Sequence, residues 1–133
     1  MKLKLALLAS ILALVIVGCA TESVNSSTYN TEATITDAAT AATHVFNIDY
    51  VQLTSGTNPP ANIAQLNATR DTFYATDKQL SAALSIVDNL RLQVVATSGT
   101  NVTVNSALTA AITVAETQLS TLNGLTNLIS NLK

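Results

Sequence analysis

The sequence predicts an all-α fold: an elongated up-down-up three-helix bundle with coiled-coil-like packing, set behind a flexible N-terminal tether. Three observations lead there. Apolar residues recur at helical spacing, and in the middle of the chain they recur at strict intervals of seven. The pentapeptide Thr54-Ser55-Gly56-Thr57-Asn58 returns 43 residues later as Thr97-Ser98-Gly99-Thr100-Asn101, and each copy is a turn signal that divides the chain. No two convincing strands exist to pair with one another.

The N-terminus is organised separately from the rest. Lys2 and Lys4 form a positive start, and Leu5 to Val17 form an uncharged apolar run. That run is short of the ~20 residues a bilayer-spanning helix needs, and its length and basic flank suit a secretory signal. It closes with Ile16-Val17-Gly18-Cys19. This ending resembles the lipobox of bacterial lipoprotein precursors, over residues 1–19 only. The resemblance implies removal of residues 1–18 by cleavage between Gly18 and Cys19. It also implies a diacylglyceryl group on the Cys19 sulfur and an acyl group on its new amino end. Two or more acyl chains make a stable anchor, where one gives only reversible attachment. Cys19 is the only cysteine, so no disulfide can form within the molecule. Ala20, where the family's inner-membrane members tend to carry Asp, implies an outer-membrane or cell-surface location over the inner membrane.

Residues 19–28 then read as the lipidated cysteine and a polar, aperiodic tether, able to reach ~30 Å if stretched. Residues 29–133 form the helical domain, with helices expected at about 29–53, 60–96 and 105–132. In the first, Ile35, Ala38, Ala39, Ala42, Val45 and Phe46 have helical spacing, although Phe46-Asn47-Ile48-Asp49-Tyr50 alternates as a strand would. Residues 44–53 therefore fit either element by pattern. Helix is expected because no partner strand is available. In the second, Leu66, Phe73, Leu80, Val87 and Val94 are seven apart, and Ile63, Ala83, Leu84 and Leu90 widen the same face. Pro59-Pro60 suits its start, Arg70 and Arg91 sit at the stripe's edges, and its length suggests an overhang past its neighbours. In the third, Leu108, Ala111, Ile112, Ala115, Leu119, Leu122, Leu125, Ile129 and Leu132 form one face, weakened by Gly124.

Composition excludes several classes of function. Beyond residue 18 four basic residues face eight acidic ones, a formal charge of −4, so no basic patch exists for nucleic acid or anionic lipid. Polarity comes from twenty Thr and twelve Asn in that span. Such a neutral surface opposes lateral association only weakly. His44 is the only histidine and has no carboxylate at i±4, so neither a metal site nor a triad is expected. Asp71 and Asp77 fall on different helix faces, Asp88 and Arg91 form an i, i+3 pair, and Gly56 and Gly99 are isolated turn glycines. Tyr29, Tyr50 and Tyr74 are scattered, and Asn67 and Asn101 head chance glycosylation sequons. No enzyme, cofactor or small-molecule substrate is expected.

The expected role is that of an exported, membrane-anchored envelope protein with structural or protein-interaction duties, through protein partners or self-association. Alternatives are a subunit of a surface filament or coat, an exclusion or immunity lipoprotein, a small lipid or ligand carrier, and a peptidoglycan tether. The last rests on Lys133, similar in position and type to the C-terminal Lys by which the major helical lipoprotein of enteric bacteria is joined to the wall. It departs from that family in having turns and no basic residues before the Lys. A stretched tether plus the bundle would reach ~70–80 Å.

Overall fold

A computed structural model describes the backbone of residues 2–56 and 60–132 and, within that span, side chains from residue 22 onward. It contains three helices, α1 (Lys2–Thr54), α2 (Ile63–Ala96) and α3 (Val102–Ser130), and no strand among the described residues. Residues 44–53 are helical. Phe46 is fully buried and Tyr50 half-buried, both reaching α2, while Ile48 between them is 43% exposed; a strand's alternation would place all three on one face.

Cross-helix contacts fix the directions. Asn25, Asn47 and Tyr50 of α1 meet Arg91, Tyr74 and Asn67 of α2, so these helices are antiparallel. Ala42 and Asp49 of α1 meet Thr126 and Ser130 of α3, so those run parallel. The topology is up-down-up. Because α1 lines α2 from Arg91 back to Asn67, the expected overhang of the middle helix is absent.

Burial repeats every seven residues on all three helices. On α2, Leu66, Phe73, Leu80, Val87 and Val94 are each no more than 1% exposed. On α3 the buried set is Leu108, Ala115, Leu122 and Ile129. On α1 it is Thr28, Ile35, Ala42 and Asp49, with Ala39 and Phe46 beside them. A seam of period seven keeps facing its neighbours along the whole length of a supercoiled helix. Within it Phe46 stacks on Phe73, ring centroids 4.0 Å apart, and Tyr74 meets Phe73 edge-on at 5.8 Å. Elsewhere Ala39, Ala83 and Ala115 hold the seam and leave it narrow. Val45 and Leu132, assigned to apolar faces by spacing, are largely exposed.

Threonine is a poor helix former, yet it is abundant here. Its hydroxyls donate to the carbonyl four residues back: Thr109, Thr113, Thr117 and Thr121 do so in succession along α3, and Thr36 and Thr40 along α1. Each hydroxyl thereby satisfies its own donor locally.

The α2–α3 connection is a tightly closed turn. Gly99 N–H donates to Val94 O at 2.9 Å and Ser98 N–H to Val95 O at 3.1 Å, the two bonds of a Schellman motif. Ser98 and Gly99 take φ of 51° and 69°, and glycine is the residue that adopts such values without strain. Asn101 then caps α3, its side chain accepting from Val104 N–H. That cap is why the β-rich Val102-Thr103-Val104 begins the helix three residues earlier than expected. α2 begins later than expected, at Ile63, after a turn in which Ile63 N–H donates to Pro60 O.

The largest departure is at the tether. Residues 22–28 continue α1 without a break, Thr28 is buried and Asn25 is bonded to Arg91. Lack of apolar periodicity made this stretch look unstructured. It is held by polar contacts to α2, a signal that hydropathy does not carry.

Replacing Phe73 by Ala is expected to lower unfolding free energy by about 3–5 kcal/mol, whereas exposed Ile86→Ala should stay within about 0.5 kcal/mol. Denaturant titration followed by circular dichroism measures both. Gly124 is exposed within α3 and a Cβ there would meet nothing within 4 Å. Gly124→Ala should therefore raise stability by about 0.5–1 kcal/mol in the same titration.

Candidate functional site

Gly18 and Cys19, where cleavage and lipidation are expected, and Lys133, the expected point of any wall attachment, lie outside the residues whose side chains are described. The geometry nearest them is nonetheless informative. α1 passes from Glu22 straight into a cluster centred on Arg91 of α2. The Arg91 guanidinium donates to Asn25 Oδ1 at 2.7 Å and to Asp88 Oδ1. It lies 3.4 Å from Glu32 Oε2, an ion-pair contact too long for a good hydrogen bond. It also sits 5.8 Å from the centre of the Tyr29 ring. One side chain thus gathers three α1 residues spaced over two helical turns.

The charges in this cluster are partly withdrawn from water. The side chains of Arg91 and Glu32 are 16% and 15% exposed, that of Asp88 50%. Burial raises the Glu32 carboxyl above its ordinary range, and the neighbouring Asp88 adds to the rise. Arg91 opposes both with its positive charge.

A second polar link joins the helices at the opposite end of the bundle. Tyr50 donates to Asn67 Oδ1 at 2.5 Å and accepts from Arg70 at 3.2 Å, while the Arg70 guanidinium covers the Tyr50 ring and also binds Asp71. Ser130 donates to the buried Asp49 carboxylate at 2.5 Å. Each arginine lies over a tyrosine ring of α1, Arg70 over Tyr50 and Arg91 over Tyr29. Both sequon asparagines have structural roles: Asn67 receives Tyr50 and Asn101 caps α3.

His44 is exposed and lines a shallow groove between α1 and α2 with Asp77, Thr40, Thr43 and Asn47. Asp71 and Asp77 do not converge, since Asp71 is bound to Arg70 outside that groove. A second groove, between α1 and α3, is lined by Ser23, Ser27, Asn30, Thr31 and Glu116. Among the described residues no three His, Cys, Asp or Glu side chains are grouped to hold a metal ion. Among them, too, no helix is long and apolar enough to cross a membrane.

No protein-family model, curated protein or solved structure matches the chain.

Sequence spacing paired Arg91 with Asp88 correctly. It missed Asn25, Tyr29 and Glu32, which lie about sixty residues away on another helix. Glu32 stands one heptad before Ala39 and two before Phe46, and only the buried sevens of α1 would have placed it at the interface.

Glu32 has a folded-state affinity for protons above that of the unfolded chain. Its contribution to stability is therefore greatest at pH below the ordinary Glu range and diminishes as pH rises through the raised value. Glu32→Gln should remove this segment of the pH profile without loss at neutral pH. Arg91→Met, which leaves Glu32 without its cation, should cost about 1–2 kcal/mol at pH 7 and less in acid. Thermal melts between pH 3 and pH 8 check both.

Proposed function

We propose that the chain is a membrane-anchored lipoprotein of the bacterial cell envelope whose helical bundle serves a structural or protein-interaction role and not a catalytic one. The observation that carries this reading is Ile16-Val17-Gly18-Cys19 at the close of an uncharged run behind Lys2 and Lys4. Acylation of the one cysteine gives it a use that no partner within the chain supplies. Ala20 favours the outer membrane or cell surface. The neutral, threonine-rich faces of α1 and α3 support contact with protein partners or with further copies, because little charge opposes approach.

The geometry weighs on two of the alternatives. α1 and α3 run parallel, so the chain's last described residues stand at the end of the bundle farthest from Cys19, as a wall tether through Lys133 requires. With residues 22–28 helical, however, the span from Cys19 to that end shrinks to about 50 Å, well short of the reach a stretched tether would give. Filament or coat subunit remains the nearest alternative, since the same neutral faces suit it; an immunity role draws no support from any particular residue. A lipid or ligand carrier is the least supported, because the space between the helices is filled by the heptad seam and the grooves are shallow.

Mass spectrometry of the mature protein should find a blocked N-terminus at Cys19 bearing a diacylglyceryl mass, and Cys19→Ser should move the protein from the membrane to the soluble exported fraction. An unmodified Cys19, or a mature N-terminus elsewhere, would overturn the assignment. Light scattering on the Cys19→Ser mature protein tests the interaction role, for which concentration-dependent self-association is the supporting result.

A further inference from the structure

We infer that the end of the bundle formed by residue 22–24 of α1, the last turn of α2 and the α2–α3 turn docks end-on into the headgroup layer of the lipid surface that holds Cys19. This rests on the anchoring reading and goes beyond it, since anchorage alone permits a domain that floats free.

Chain length forces the proximity. Glu22 of α1 is three residues from Cys19. Even fully extended, three residues span at most ~11 Å. Glu22 in turn lies less than one helical turn from Asn25, which Arg91 clamps to α2 at 2.7 Å. Val95 is one turn beyond Arg91 toward the same end, and Val102 opens α3 directly after the turn that follows. An acyl anchor at Cys19 therefore brings these valines within about two helical turns of the lipid interface. No slack segment separates them from it.

The chemistry of this end suits a lipid surface. Val24, Val95 and Val102 are 42%, 42% and 76% exposed. From Leu92 to Ser106 the chain carries no charged residue, and its turn is Thr-Ser-Gly-Thr-Asn. Polar carbonyls and hydroxyls of that turn are at home among headgroups, and branched aliphatic side chains enter the upper acyl region. Glu22 is the nearest carboxylate, while Glu32 and Asp88 face Arg91 deeper along the bundle. With no basic residue at this end, the contact is apolar and does not depend on anionic lipid.

The chain has no tryptophan, so one inserted indole reports its own surroundings. Val102→Trp and Val95→Trp probe the docking end. Val51→Trp, at a valine that is 58% exposed near the opposite end, is the control. Each full-length lipidated protein is reconstituted into phosphatidylcholine vesicles, with or without bromine on the acyl chains. The expected result is blue-shifted emission and about twofold or greater quenching at residues 102 and 95, independent of salt, with water-like, unquenched emission at residue 51. Water-like emission at both docking-end positions in protein that floats with the vesicles would overturn end-on docking and leave anchorage standing. Equal quenching at residues 102 and 51 would overturn it in favour of a bundle lying flat. Failure to float would overturn the anchoring reading itself, and this inference with it.

Discussion

Everything in this bundle hangs on a seven-residue seam shared by three helices. α2 supplies its largest members, Leu66, Phe73, Leu80, Val87 and Val94, and α3 answers with Leu108, Ala115, Leu122 and Ile129. A helix of 3.6 residues per turn keeps such a row facing its neighbours only by coiling around them. The elongated shape follows from that. So does the near absence of bulk: with alanine at many seam positions, the helices approach closely and the two phenylalanines meet in a single stacked pair. Loss of one large seam residue leaves few others nearby to fill the space.

Several polar residues at the seam are answered by a partner on another helix. Thr126 bonds the carbonyl of Leu122 and reaches toward that of Ala42, tying α3 to α1. Asp49 is bound by Ser130, and Glu32 faces Arg91. These links contribute less by their net energy than by where they are allowed to form, because each costs stability if its register slips and leaves the group unpaired. They fix which residue of α1 stands opposite which residue of its neighbours, a matter that a row of alanines would settle poorly. The exposed threonines act differently. By bonding backward along their own helix they satisfy their donors locally, on a surface with few charges to hold other surfaces away.

The three-helix architecture was legible because α2 and α3 write their buried faces in leucine, valine and phenylalanine. α1 writes part of its own in Thr28, Glu32 and Asp49, which hydropathy assigns to solvent. That is why the stretch before residue 29 was expected to be loose and why Glu32 escaped notice. The turn at Thr97–Asn101 was readable from its composition, though its Schellman closure on Val94 was not. The proposed anchor at Cys19 rests on a local pattern of four residues, and that proposal makes it matter where α1 becomes ordered. With Cys19 acylated as proposed, a packed α1 holds the domain against that membrane; a loose one lets it stand away.

Amide hydrogen exchange of the lipidated full-length protein tests that point most directly. Peptides covering residues 22–32 are predicted to exchange slowly, with protection comparable to that of α2, because Asn25, Thr28 and Glu32 are held against the bundle. Exchange of these amides at the rate of an unstructured chain, beside a protected α2, would contradict the account and restore a flexible tether.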